Sequence, residues 1–165
     1  YINGAGRYYR GADFQTGARF LTDNAGDFFV NLSIAYVDDE RRSDTPGDPY
    51  VTIMEQERRL RSRSYLSASW TKNDWAAGVS TSRIGSMNYQ SPRWDGKPNT
   101  KIDPYYDIGA FVRYDIEDGH YVALSVSNLM DDVPKKNSDL GWPWFATYYY
   151  SPVGRELFLT YRYTF

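Results

Sequence analysis

The chain has 165 residues, a length that suits one domain, and 19 basic against 21 acidic side chains give a net charge of −2. That balance carries no basic footprint for nucleic acid; the absence of cysteine excludes disulfides and thiolate metal sites, and a single histidine excludes a multi-histidine metal centre within the segment. No apolar run reaches the roughly 18 residues of a spanning helix, yet the mean hydropathy of −0.65 is also what strands wetted on one face average to.

The alternation of apolar and polar positions predicts a series of strands, each with two unlike faces. In the first, Ala12, Phe14, Thr16, Ala18 and Phe20 oppose Gly11, Asp13, Gln15, Gly17 and Arg19. The second sets Phe28, Val30, Leu32, Ile34 and Tyr36 against Phe29, Asn31, Ser33, Ala35 and Val37. In the third, Leu60, Ser62, Ser64, Leu66, Ala68 and Trp70 oppose Arg59, Arg61, Arg63, Tyr65, Ser67 and Ser69. A shorter fourth has Trp75, Ala77, Val79 and Thr81 against Ala76, Gly78, Ser80 and Ser82.

The fifth places Tyr106, Ile108, Ala110, Val112 and Tyr114 opposite Tyr105, Asp107, Gly109, Phe111, Arg113 and Asp115. The sixth sets Val122, Leu124 and Val126 against Ala123, Ser125 and Ser127. The last has Leu157, Leu159, Tyr161, Tyr163 and Phe165 on one side and Phe158, Thr160, Arg162 and Thr164 on the other. Within these bounds every charge falls on one face.

The connections alternate in length. Residues 22–27, 71–74 and 117–120 are tight turns rich in Asp, Asn and Gly, whereas 38–58, 83–104 and 129–154 are long and polar or aromatic. Aromatic side chains of the apolar face, Phe20, Phe28, Trp70, Trp75, Tyr114, Tyr163 and Phe165, cluster beside the short turns or the C-terminus. Short turns at one end, long loops at the other and an aromatic girdle are the pattern of a transmembrane antiparallel β-barrel in an outer membrane. An odd number of strands cannot close a bacterial barrel, so the segment is expected to be part of a larger one. The opening Tyr1-Ile2-Asn3 carries no export signal, as expected for a mature form or a fragment.

Two motifs sharpen this. Val126-Ser127-Asn128-Leu129-Met130-Asp131-Asp132, then a loop, Pro152-Val153-Gly154-Arg155 and a closing strand ending in Phe, resembles the C-terminal end of TonB-dependent outer-membrane receptors. Arg10-Gly11-Ala12-Asp13-Phe14 resembles a segment of an earlier strand in that family. The resemblance covers residues 1–165 and is strongest over 121–165. It implies the last seven strands of a barrel of about 22 strands that encloses a plug domain. On that resemblance, the plug domain and the earlier strands are expected to lie outside residues 1–165.

It further implies TonB-driven nutrient uptake across the outer membrane of a Gram-negative bacterium. The implied partners are the rest of the barrel and its plug, the TonB complex acting through a TonB box in the missing N-terminal part, and outer-membrane lipid. The implied ligand is an extracellular small molecule, oligosaccharide, peptide or siderophore, with no resident cofactor or metal. A passive porin-type channel is the alternative.

The candidate ligand-binding residues are Arg59, Arg61, Arg63, Asp107, Trp142, Trp144 and Tyr148. The three arginines alternate, so all are expected to face the lumen, where guanidinium suits a carboxylate or phosphate; pairing with acidic groups of a plug or of neighbouring strands is the other use of the same charges. The aromatic run 141–150 either stacks on a ligand or packs on itself over the barrel mouth. Asp38-Asp39-Glu40-Arg41-Arg42 is expected to be a solvated charge cluster. His120 lies at a short turn, with no companions for a catalytic triad, so no enzyme is expected.

Overall fold

The computed structural model describes residues 6–54, 59–89, 100–117, 119–136, 142, 144–145, 147 and 149–164. Among them the fold is all-β: β1 (Arg7–Phe20), β2 (Asp27–Arg42), β3 (Val51–Thr52), β4 (Ser62–Lys72), β5 (Trp75–Ile84), β6 (Met87–Tyr89), β7 (Thr100–Ile102), β8 (Tyr105–Glu117), β9 (His120–Ser127) and β10 (Glu156–Arg162). The main sheet is an antiparallel meander in the order β1-β2-β4-β5-β8-β9-β10, with β3 attached to β2; β6 and β7 form a separate ribbon. The sheet is open. Among the described residues β1 has only β2 beside it, and β10 only β9.

A strand forms at each expected place, though the last ends at Arg162, short of Tyr163 and Thr164, and Phe165 lies outside the described residues; the register joins the faces into continuous rows. One row of the apolar face runs Phe20, Phe28, Trp70, Ala77, Val112, Leu124, Leu159; the next runs Ala18, Val30, Ala68, Val79, Ala110, Val126, Leu157. β-Branched and aromatic side chains suit these positions because cross-strand neighbours pack on a pleated surface. On the opposite face Arg19, Phe29, Ser69, Gly78, Phe111, Ser125 and Phe158 are aligned in the same way.

Local chemistry sets the tight turns. Thr22 Oγ1 accepts from the Ala25 amide at 3.1 Å and donates to the Gly26 carbonyl at 2.6 Å, closing the β1–β2 connection. Asn73 takes φ +51° between β4 and β5, a left-handed conformation that Asn tolerates better than most residues. Gly119 takes φ +83° between β8 and β9, where any side chain is disfavoured.

Little of the described chain is buried. β1 and β10 are exposed along their whole lengths, and Leu159 retains 77% of its accessible surface. The buried apolar residues are Ile53, Met54, Met87 and Tyr150, all in the long connections. Met87 and Tyr150 gather Leu60, Ile84, Ile102, Tyr105, Phe145 and Tyr149 into a small cluster at that end. The packed core thus sits in the loops, while the sheet is a single layer.

β2 and β5 run further than the alternation indicates, and this changes the charge pattern. β2 continues to Arg42 through a bulge opposite the Arg10/Gly11 step, and β5 continues to Ile84. Arg83 pairs with Ser64 and Tyr106 and so lies on the apolar face. The separation of charge to one face therefore holds for the middle of the sheet and ends near the long loops. Conversely, β4 begins only at Ser62, so Arg59 and Arg61 precede it.

Candidate functional site

The polar face of the sheet brings charged and aromatic side chains together with a row of serines. Its base is a recess of about 620 Å³ lined by Tyr65, Ser80, Ser82, Asp107, Phe111 and Phe158 among others. Hydroxyls and small side chains form its floor because Ser67, Ser69, Ser80, Ser82, Ser125 and Ser127 share the face with Gly109. Aromatic rings frame it. Gly78 lies under the Phe111 ring, and a Cβ there would come within 2.5 Å of Cε1, so the ring would have to shift.

Arg63 stands on this face between Ala35 and Ile84, and Asp107 stands opposite Ser82. Two strand spacings, about 10 Å, separate their strands. Asp107 Oδ1 accepts the Asn128 amide at 3.1 Å, so part of its charge holds the start of the third long loop. The candidate arginines have different established contacts. Arg59 lies 3.5 Å from the Glu40 carboxylate, which is also paired with Arg7. Arg61 supplies its carbonyl to the Val37 amide at 2.8 Å, extending the β2–β4 ladder beyond the strand proper.

Glu40 corrects one expectation. Instead of sitting in a solvated cluster, its side chain is 4% exposed, between Arg7 and Arg59. The bulge in β2 turns Glu40 to the same side as Tyr9 and Arg7, and Ile53 donates its amide to the Glu40 carbonyl at 2.9 Å. Of its neighbours, Asp38 binds Arg10 Nε at 2.7 Å with its carboxylate half exposed, as expected, whereas Asp39, which binds Arg41 at 2.7 Å, is only 12% exposed.

The aromatic loop divides between its two candidate uses. Tyr150 is 6% exposed and meets Tyr105 edge-on at a centroid distance of 5.2 Å. Phe145 and Tyr149 join the same cluster. Trp142, at 82% exposure, and Trp144 point outward, and Trp144 takes φ +69°. Tyr148 lies outside the described residues, as does Phe165. Among the described residues the buried Tyr150 hydroxyl has no hydrogen-bond partner, and burial, with Tyr149 and Tyr105 adding to it, pushes the phenol above its ordinary pKa.

The two motifs at the C-terminal end interlock. Asn128, 5% exposed and at φ +49°, donates from Nδ2 to the Asp132 carbonyl at 2.6 Å and accepts the Asp132 amide on Oδ1 at 2.9 Å. Asp131 Oδ1 accepts the Arg155 amide at 2.8 Å. This knot fixes the start of β10 relative to the end of β9, and so both ends of the third long loop. Comparison with protein-family models, curated proteins and solved structures found no match.

Sequence reasoning missed Glu40, Tyr65 and the serine floor of the recess. The serines carry no charge or periodic signal of their own. Glu40 acquires its role from Arg7, 33 positions away in sequence, and Arg59.

Proposed function

We propose that the chain is a barrel-wall segment of a TonB-dependent outer-membrane receptor that imports a scarce nutrient. The carrying observation is the single-layered sheet with one continuous apolar face and no core beneath it. A soluble sheet must bury that face against a second layer. Bilayer hydrocarbon covers it without one, and the alternating charged face then lines a wet interior. The unpaired edges of β1 and β10 are costly in lipid, where each free N–H and C=O lacks water, so further strands of the barrel complete them.

The contact between Asn128-Leu129-Met130-Asp131-Asp132 and Pro152-Val153-Gly154-Arg155 supports the receptor in particular, because the two motifs that carry the resemblance act as one unit. The polar recess, Arg63 and the outward Trp142 and Trp144 then belong to the wall and mouth on the ligand's route. A passive channel uses the same wall without energy input.

Deletion of the intact polypeptide, followed by growth on ferric citrate, cobalamin, maltooligosaccharides or dipeptides as limiting nutrient, tests the proposal. The expected result is a growth defect on one of these, restored by the intact polypeptide and abolished again when the proton gradient is collapsed. Uptake insensitive to the gradient assigns the passive channel. Recovery of the polypeptide in the aqueous fraction, with growth unchanged, overturns both.

A further inference from the structure

Arg83 is a cation on the apolar face. Its backbone neighbours across the sheet, Ser64 and Tyr106, lie in the row that begins with Phe14 and Ile34. Nε donates to the Tyr106 hydroxyl at 3.2 Å and Nη1 donates to Ser62 Oγ at 3.0 Å. The guanidinium carbon lies 5.9 Å from the Tyr106 ring centroid. Two of five N–H donors are thereby used. Among the described residues no carboxylate pairs with this guanidinium, whereas Arg10 and Arg41, further out on the same face, are paired with Asp38 and Asp39.

Its height on the sheet gives that cation a meaning. Trp75 packs against Tyr114 at 4.8 Å and marks the short-turn margin of the apolar face. Arg83 follows Trp75 by eight positions on β5. At about 3.3 Å per residue that is about 26 Å along the strand, or about 20 Å along the membrane normal for a strand tilted near 40°. The apolar band of a membrane barrel is about 25 Å tall. The Arg83 backbone therefore stands about 5 Å short of the opposite margin, a distance its long side chain spans by reaching outward to the headgroups, beside the exposed rings of Tyr36 and Tyr106.

We propose that Arg83 binds the phosphate of a lipid headgroup at the long-loop margin, with Ser62 and Tyr106 holding the guanidinium so that its remaining donors face the bilayer. A guanidinium presents parallel N–H groups that match phosphate oxygens in pairs, and anchoring by two hydroxyls lowers the entropy lost on binding. This inference rests on the membrane proposal above.

The test uses the intact polypeptide in neutral detergent and counts retained lipid by native mass spectrometry, with phosphatidic acid and a phosphate-free galactosyl diacylglycerol as probes. The wild type is expected to prefer phosphatidic acid, and Arg83→Gln to bind it roughly tenfold more weakly, the scale of one charge-assisted hydrogen bond. Arg83→Lys is expected to keep part of the preference, and millimolar inorganic phosphate to compete poorly because it lacks acyl chains. Equal retention of both lipids by a folded wild type overturns the phosphate site and leaves the barrel intact. Complete displacement by inorganic phosphate overturns the lipid as its source. Retention of neither lipid by a protein soluble without detergent overturns the membrane proposal itself.

Discussion

The carboxylate of Asp131 occupies the space in which a side chain at position 154 would begin: a Cβ on Gly154 would lie 2.6 Å from Asp131 Oδ1. The same oxygen accepts the Arg155 amide, so the glycine and the aspartate are parts of one joint. Gly154→Ala is expected to push the carboxylate off that amide and cost about 1–3 kcal/mol, the range for a hydrogen bond made by a charged group. Asp131→Asn keeps an acceptor oxygen and is expected to cost less. The shift in urea midpoint of the folded intact polypeptide checks the order; equal midpoints for wild type and Gly154→Ala rule out the joint.

Asn128 is the other half of that joint. Its left-handed backbone favours Asn or Gly, and its amide group bridges both backbone groups of Asp132. Asn128→Ala loses the bridge and also strains the backbone, for an expected cost of about 2–3 kcal/mol. Asn128→Gly loses only the bridge and is expected to cost about half of that. Denaturant melts of the two variants distinguish a conformational role from a side-chain role.

The middle of the sheet was legible in the sequence because alternation is strongest where one face is uniformly apolar. Phe28 through Tyr36 and Tyr106 through Tyr114 read cleanly, and the register joins them as expected. The ends were not legible. Beyond Tyr36 the chain turns polar on both sides, so nothing local shows that β2 continues to Arg42 or that its bulge moves Glu40 inward. Arg83 escaped for the same reason: the pattern stops at Ser82, and only pairing with Ser64 shows which side the next residue takes. The short strands β3, β6 and β7 depend on contacts between loops rather than on period.

Of the candidate site, Arg63 and Asp107 could be placed on one face from parity alone. Their separation by two strands required the register. The division of the aromatic run into buried Tyr150 and outward Trp142 could not be read, since both residue types serve either role.

Glu40 is expected to matter more than the exposed Asp44. Glu40→Ala leaves Arg7 and Arg59 without a shared carboxylate and releases the loop that follows β2. With Arg7 half exposed, the cost is expected at about 1–3 kcal/mol rather than that of a fully buried pair. Limited proteolysis within residues 43–50 is expected to quicken in Glu40→Ala and stay near wild type in Asp44→Ala, whose carboxylate is exposed on Arg42.

The Tyr150 hydroxyl gives a prediction with a definite sign. Burial raises its pKa, so the folded state holds the proton more tightly than the unfolded chain. The associated stability is present below the ordinary phenolic pKa and is lost as pH rises through the raised folded value. Tyr150→Phe removes a buried donor that has no partner among the described residues, so it is expected to be neutral or slightly stabilising at pH 7 and to flatten the alkaline loss. A stability profile between about pH 8 and 11 checks this; a profile unchanged by Tyr150→Phe assigns the alkaline loss to other groups.

Arginine placed on each face provides the sharpest test of which side meets lipid. Leu159 ends a row of apolar side chains that spans the sheet from Phe20, and Val112 stands in the same row. A charge there must reach water through hydrocarbon, so Leu159→Arg or Val112→Arg is expected to destabilise the inserted sheet, approaching roughly 2–4 kcal/mol only for a site as deep as the bilayer midplane. Ser125 lies on the opposite face beside Phe111 and Phe158, where a guanidinium extends into a wet recess. Ser125→Arg is therefore expected to be much milder. Folding yield into phospholipid vesicles reads the difference for each variant of the intact polypeptide. If Ser125→Arg blocked insertion while Leu159→Arg and Val112→Arg inserted normally, the two faces would be exchanged, and Arg83 would line the interior instead of the lipid margin.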